Sequence, residues 1–281
     1  MGSSARTLVI DSRSGNMGPG LDMLEPVVHF REKLRAGQLC VGCGITMADP
    51  VISEVIGPSA DFLWIDTEHS HLDLQTVLAH LMSARIRQVP AFVRVPDSQI
   101  ASIKPVLDIG AGGVVVPQVQ SAAEVRHVVE TCRYAPLGKR GIGPRRASDY
   151  GRLDLVDYLA LANEQLFVSV QVENVDALAQ IDDIVSIEGL DSVVIGPVDL
   201  SHSLGHTRQL DHPRVVEAMQ TIIDKTRAAG KLAGMGMGAD KQFAATAARM
   251  GVQWIQCGDD FEYMAQGVEE LYSQIRNLPT A

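Results

Sequence analysis

The sequence predicts a single α/β domain, a closed (β/α)8 TIM barrel. Three observations lead there. Eight short apolar runs recur along the chain, with helical patterns between them, within about 240 of its 281 residues. The runs are apolar on both faces, as strands of a parallel sheet covered by helices must be. No G-x-G-x-x-G follows the first strand, which an open dinucleotide-binding sheet would require; Gly141-Ile142-Gly143 lacks the third glycine and follows a helix.

The strands are expected at QLCVGCGI (38–45), DFLWID (61–66), PAFVRV (90–95), GGVVVPQV (112–119), LFVSVQVE (166–173), DSVVIGP (191–197), KLAGMGM (231–237) and VQWIQCG (252–258). Most are short runs rich in β-branched or aromatic residues, whereas KLAGMGM has neither. Helices are expected over Leu74–Arg87, Ala101–Ile109, Ala122–Cys132, Val175–Ile184, Pro213–Ala229, Ala239–Met250 and Phe261–Ile275. Asp73, Ser121 and Asp211 stand ahead of three of them as candidate N-caps. Residues 1–25 carry neither pattern and read as a flexible N-terminal extension, leaving 26–281 for the barrel. That extension has no apolar core of signal-peptide length, and Arg6 stands where N-myristoylation needs Ser or Thr.

A net charge of −10 argues against a nucleic-acid footprint or a polybasic membrane surface. No apolar run approaches the roughly 20 residues that span a bilayer, and 46% apolar with 21% charged residues is ordinary for a cytoplasmic globular protein. Cys40 and Cys43 form the one C-x-x-C, but no second pair supports a zinc site, so buried reduced thiols are expected.

In such a barrel the chemistry gathers at the C-terminal ends of the strands. Strand 2 delivers Asp66, Glu68 and His69 there, strand 3 Arg94, strand 5 Gln171 and Glu173, strand 6 Pro197 and Asp199, and strand 8 Asp259 and Asp260. Alternation along strand 5 puts Ser169, Gln171 and Glu173 on one side and valines on the other. Glu173 and Asp199, with no His or Cys beside them, offer hard oxygen ligands suited to Mg²⁺ or Mn²⁺. A metal so held leaves positions for a 2-oxo acid and polarises its carbonyl. Arg94 supplies a permanent positive charge next to the developing oxyanion, and His69 is the natural proton carrier. A Schiff-base mechanism needs a lysine inside the barrel; Lys231 opens strand 7 at the wrong end, and Lys104 and Lys225 belong to helices.

Between about Glu32 and Tyr272 the segments WIDTEHS, VRVPD, IKPVLDIGAGGVVVPQV, RYAPLGKRGIG, VQVEN and VVIGPVDLSHSLG occur in an order and spacing that resemble the HpcH/HpaI class II pyruvate aldolases. The resemblance implies a barrel of the phosphoenolpyruvate/pyruvate-binding type. It also implies a divalent-metal enzyme (Mg²⁺, Mn²⁺ or Co²⁺) that reversibly cleaves a 4-hydroxy-2-oxo acid to pyruvate and an aldehyde through a pyruvate enolate. It further implies that Asp108 orients His69 and that Arg94 stabilises the transition state. Glu173 and Asp199 hold the metal, and Gln171 contacts pyruvate. The Gly196-Pro197 turn and the N–H groups of Val198 and Asp199 receive its carboxylate. Asp66 and Glu68 then order the surrounding water and steady the histidine.

Macrophomate synthase, similar to this family, marks an alternative: decarboxylation of oxaloacetate with carbon–carbon bond formation to another acceptor. Citrate lyase β and malyl-CoA lyases mark another, although they need a coenzyme A site that the sequence does not display. A non-enzymatic barrel would be expected to lack part of the set. Family members assemble as hexamers, and the apolar face Phe261, Met264, Val268, Leu271 and Ile275 suits either that assembly or packing on its own barrel. His71 either lines the aldehyde pocket or precedes a helix start at Asp73. His202 and His206 have i, i+4 spacing but fall in a loop, where surface roles are expected. KRGIGPRRAS, with Arg145 and Arg146, either grips an acidic acceptor or belongs to an interface.

Overall fold

The computed structural model describes residues 23–279; the expected extension lies outside them up to residue 22. Eight parallel strands close in sequence order: β1 (Cys40–Ile45), β2 (Phe62–Asp66), β3 (Ala91–Arg94), β4 (Gly113–Val116), β5 (Phe167–Val172), β6 (Ser192–Ile195), β7 (Leu232–Met237) and β8 (Trp254–Asp259), with β8 paired back to β1. The barrel and its eight strands stand as the sequence predicts, with ends trimmed by one to three residues where the backbone leaves the ladder. The fourth strand stops at Val116, before Gln118 adopts a left-handed φ of 54°.

Twelve helices surround the strands among the described residues: α1 (Glu25–Arg35), α2 (Val51–Ile56), α3 (Leu74–Ile86), α4 (Ile100–Asp108), α5 (Ala122–Cys132), α6 (Leu155–Gln165), α7 (Val175–Ala179), α8 (Ile181–Val185), α9 (Pro197–Ser203), α10 (Pro213–Ala228), α11 (Lys241–Met250) and α12 (Asp260–Arg276). Asp73 and Ser121 cap α3 and α5 by accepting the N–H of Thr76 and Glu124. At α10 the cap is His212, not Asp211. The helix expected over Val175–Ile184 is two short helices, parted at Gln180. α1, α2, α6 and α9 were not anticipated; α2 and α9 have six and seven residues, too few to display a 3.6-residue period.

α1 closes the N-terminal end of the barrel. Its Phe30 meets Phe62, Phe92, Phe167 and Trp254 edge-on, with ring centroids 5.1–6.2 Å apart. Burying one such ring contributes about 2–3 kcal/mol. This aromatic layer fills the lower barrel, with Ser192 Oγ accepting the Trp254 Nε1–H within it at 2.9 Å. Above it, Trp64 stacks obliquely on Trp254 and carries the Arg94 guanidinium 5.6 Å from its ring. The four cysteines are unpaired, and burial pushes the Cys40 and Cys43 thiols up to about 11 and about 12. Among the described residues no helix is long and apolar enough to cross a membrane.

Candidate active site

The ends of β2 and β3 are tied to each other through Arg94. Its Nε and Nη2 donate to the two oxygens of Asp66 at 2.9 and 2.7 Å, and its Nη1 lies 3.1 Å from Glu68 Oε2. Asp66 also accepts the backbone N–H of Glu68 at 3.0 Å, fixing the turn that follows β2. His69 leaves that turn with its side chain two-thirds exposed and its Nε2 3.7 Å from Glu68 Oε2. WIDTEHS therefore concentrates ionisable groups to form one network: Asp66 aims the arginine, Glu68 bridges arginine and histidine, and His69 faces outward. His71 is exposed, just ahead of the α3 cap.

β5 supplies the second half. Ser169, Gln171 and Glu173 are buried, as are the valines between them; Phe167, two residues before Ser169, packs in the interior aromatic layer, so alternation turns the polar set inward as the sequence predicts. Glu173 is 3% exposed; its Oε1 accepts the Gln118 N–H at 2.8 Å and its Oε2 accepts Gln171 Nε2 at 3.1 Å. Room for that carboxylate comes from Gly196, where a Cβ would stand 2.0 Å from Glu173 Oε2. Pro197 opens α9, so the Val198 and Asp199 amides belong to its first turn, where N–H groups have no intrahelical acceptor. Asp199 is exposed on the same turn. The Gln118 contact was not legible in the sequence, since any residue except proline supplies a backbone N–H.

The electrostatics follow from that packing. Burial pushes Glu173 up to about 7, opposed by the Gln118 N–H and reinforced by Asp199 and Glu68. Burial also raises Glu68, with Arg94 and His69 pulling the other way. Burial works against the Arg94 charge, yet its hydrogen bond to Asp66 and the charges of Asp66, Glu68 and Glu173 outweigh it and raise its pKa. One arginine thus stands among several carboxylates, and the buried Oε1 of Gln171 has no hydrogen-bond partner.

Asp108 is not brought to this site within the chain. It is the last residue of α4, and helices of a βα barrel run against the strands, so it lies at the opposite end. There its Oδ1 pairs with Arg140 at 2.8 Å. The expectation that Asp108 orients His69 therefore does not hold within a single subunit. The basic segment is spent on the same end: Arg140 is buried over the Tyr134 ring, Arg146 is buried and donates to the Ile109 carbonyl, and Lys139 pairs with Glu130. Arg145 is exposed. His202 lies in the last turn of α9 rather than in a loop, exposed and bonded to Thr207, while His206 follows the helix in a loop and stacks on His212. Lys231 donates to the Ile187 and Leu190 carbonyls at the start of β7, away from the site.

Residues 46–266 match the model of the HpcH/HpaI aldolase/citrate lyase family. The chain belongs to that family. Over 252 residues it is 35% identical to a hydroxypyruvate/pyruvate aldolase of Pseudomonas aeruginosa, covering 89% of this chain and 94% of that protein. A pyruvate aldolase of Rhizobium etli is 36% identical over 248 residues, covering 88% and 96%. Among solved structures, an HpcH/HpaI aldolase from Desulfitobacterium hafniense superposes with a TM-score of 0.83 at 29% identity, covering 89% of this chain and 97% of that one. This HpcH/HpaI protein is accordingly a carbon–carbon lyase of the aldolase type.

Proposed function

We propose that this chain is a divalent-metal-dependent aldolase that reversibly cleaves 4-hydroxy-2-oxo acids to pyruvate and an aldehyde. The observation that carries the reading is Glu173: a buried carboxylate, fixed by two donors, beside Asp199 and within electrostatic reach of Arg94 and Glu68. Among the described residues no three His, Cys, Asp or Glu side chains gather to hold a metal by themselves. Two carboxylates with an unpartnered Gln171 oxygen nearby suit instead a hard cation, Mg²⁺ or Mn²⁺ with Co²⁺ as a further fit, that keeps water and takes the substrate's oxygens. When bound, that cation supplies Lewis-acid polarisation of the 2-oxo carbonyl.

The chain's own groups do the rest. The Val198 and Asp199 amides, with the Gly196-Pro197 turn, receive the substrate carboxylate, and Gln171 contacts the 2-oxo acid. In cleavage, His69 takes the C4 hydroxyl proton at an imidazole nitrogen. The C3–C4 bond breaks, its electron pair passes to C3, and the aldehyde leaves. Arg94, pinned by Asp66, offsets the charge on the enolate oxygen, and a proton returned to C3 yields pyruvate. Asp108 reaches His69 in this scheme only from a second copy of the chain. The half-exposed apolar face of α12 (Phe261, Met264, Val268, Leu271 and Ile275) supports such an assembly, taken as the family's homohexamer.

The experiment is proton exchange. Incubated with pyruvate in D₂O, the metal-loaded enzyme should remove the methyl signal from the NMR spectrum; EDTA should stop this, and Mg²⁺, Mn²⁺ or Co²⁺ should restore it. Absence of exchange with every metal would exclude pyruvate as the nucleophile, and oxaloacetate or a CoA thioester would take its place.

A further inference from the structure

We propose that Asp259, steadied by Gln256, determines acceptor specificity, receiving a hydroxyl of a small neutral hydroxyaldehyde and repelling anionic aldehydes. The inference rests on the aldolase reading and deepens it.

Asp259 is set in place as Glu173 is. Glu173 takes the side-chain amide of a glutamine on its own strand and fits because a glycine follows the next strand; Asp259 Oδ1 takes Gln256 Nε2 at 3.0 Å and fits because β1 carries Gly44. A Cβ on Gly44 would stand 1.8 Å from Asp259 Oδ1 and 2.9 Å from Gln256 Nε2. Gln256 is itself buried and locked, its Oε1 accepting the Met237 N–H at 3.1 Å and its Nε2 also donating to the Gly258 carbonyl at 2.9 Å. Two independent positions are therefore committed to holding one carboxylate at the mouth of the barrel.

Gln256 lies two residues after Trp254, whose ring is in the interior layer, so it holds the carboxylate on the inner side of β8. Asp66 and Arg94 are among the charges that act on it, together with Glu262 and Asp260, and burial is the largest influence, pushing it up to about 6. The strand between the two carboxylate sites is bare. Gly234 faces the Trp254 ring inside the barrel, so alternation places Gly236 on the same side, where a Cβ would meet nothing closer than Gln256 Oε1 at 3.4 Å and Trp64 at 4.0 Å. No β7 side chain at Gly236 screens Asp259 from the Glu173 side. Asp259 is only half-buried, so an entering aldehyde meets it. A fixed carboxylate accepts a hydroxyl proton strongly and disfavours a second anion. Asp259 also caps α12 in a capping box with Glu262, whose Oε2 accepts the Asp259 N–H at 3.0 Å, while Asp260 is engaged with Thr46 and the Met47 N–H.

The test compares three acceptors of similar size in pyruvate addition: glycolaldehyde, propanal and glyoxylate. The quantity read is the ratio of their kcat/KM values on one enzyme, so that active fraction and enolate formation cancel. Asp259→Asn should lower the glycolaldehyde-to-propanal ratio about tenfold or more and raise the glyoxylate-to-glycolaldehyde ratio by a comparable factor. Gly44→Ala, which displaces the carboxylate without removing it, should move the first ratio in the same direction. Unchanged ratios in both variants, with deuterium exchange into pyruvate intact in the parent, would overturn the role of Asp259 alone. No exchange in the parent would overturn the aldolase reading instead. Loss of rate for all three acceptors at constant ratios would make Asp259 a structural cap of α12.

Discussion

Replacing Gly196 with alanine isolates the Glu173 carboxylate without touching any ionisable group. The added Cβ stands 2.0 Å from Glu173 Oε2 and 3.1 Å from its Cβ and Cδ, against an ordinary contact of about 3.5 Å. One partner must move by about 1.5 Å. The backbone cannot yield easily, because the neighbouring Ile195 is paired with Val172 of β5 and Met235 of β7. The carboxylate is therefore displaced, breaking its bonds to Gln171 and Gln118. Overpacking of this kind costs about 1–3 kcal/mol of stability, a loss that leaves the barrel folded. The metal site suffers more: a ligand moved by more than an ångström should weaken Mn²⁺ binding about tenfold to a hundredfold. Titration of Mn²⁺ by electron paramagnetic resonance, with pyruvate deuterium exchange alongside, reads both effects. Gly267→Ala serves as the control, since its Cβ meets nothing within 4 Å on the exposed α12. If Gly196→Ala bound Mn²⁺ and exchanged pyruvate within about twofold of the parent, Glu173 Oε2 would not be a ligand.

Three further outcomes are expected. His69→Ala should abolish pyruvate exchange while Mn²⁺ affinity stays within about threefold, since His69 touches Glu68 and not Glu173; an exchanging variant would remove His69 from the proton transfer. His80 is buried between Ser53 and the Met47 carbonyl, and burial holds its pKa below the ordinary value. The unfolded chain then takes up a proton that the folded one resists, so stability is retained above about pH 6.5 and lost as pH falls below it. Urea unfolding at pH 7.5 and 5.5 should show a smaller loss in His80→Gln than in the parent, and equal losses would acquit His80. If the proposed hexamer forms through the exposed face of α12, Leu271→Asp with Ile275→Asp should lower the mass measured by light scattering relative to the parent; an unchanged mass would place the subunit contact elsewhere.

What the sequence revealed of this architecture follows from where each signal resides. The strands were legible because a parallel barrel buries both faces, so VVIG or FVSV is a local pattern. The upper site was legible for the same reason: Ser169, Gln171 and Glu173 interrupt an apolar strand at every second residue, in phase with Phe167, whose ring lies in the interior aromatic layer. Asp108 was misplaced because a match to a motif carries no subunit index. The structure puts it at the end of α4, engaged by Arg140, which the sequence presented as a possible acceptor grip. The Arg94–Asp66 fork was hidden because its partners lie 28 positions apart and on different strands. Asp259 was visible as a strand-end acid, but its significance depends on Gly44, 215 positions away by numbering and adjacent in space.

The glycines bear the strongest relation between fold and chemistry. Along a barrel wall a side chain near the strand end competes with its neighbour for the same space, and the narrow mouth leaves little to share. Glu173 and Asp259 both lean into room left by a glycine, Gly196 just past the end of β6 and Gly44 on β1. A Cβ at either position removes the carboxylate's space, so a carboxylate and its facing glycine form one unit across two strands. The two units differ in what surrounds them. Glu173 has a second carboxylate, Asp199, close enough to raise its pKa, a pairing that favours a cation. Asp259 likewise has a glutamine amide and carboxylates about it, Glu262, Asp66 and Asp260, and differs in opening onto the bare Gly236 on the β7 side, the space proposed for a neutral hydroxyl. In the proposed scheme the same packing device would serve a metal on one side of the mouth and an acceptor on the other. Moving a glycine should disturb each function separately: Gly196→Ala should act on metal affinity and exchange, and Gly44→Ala on the choice of aldehyde.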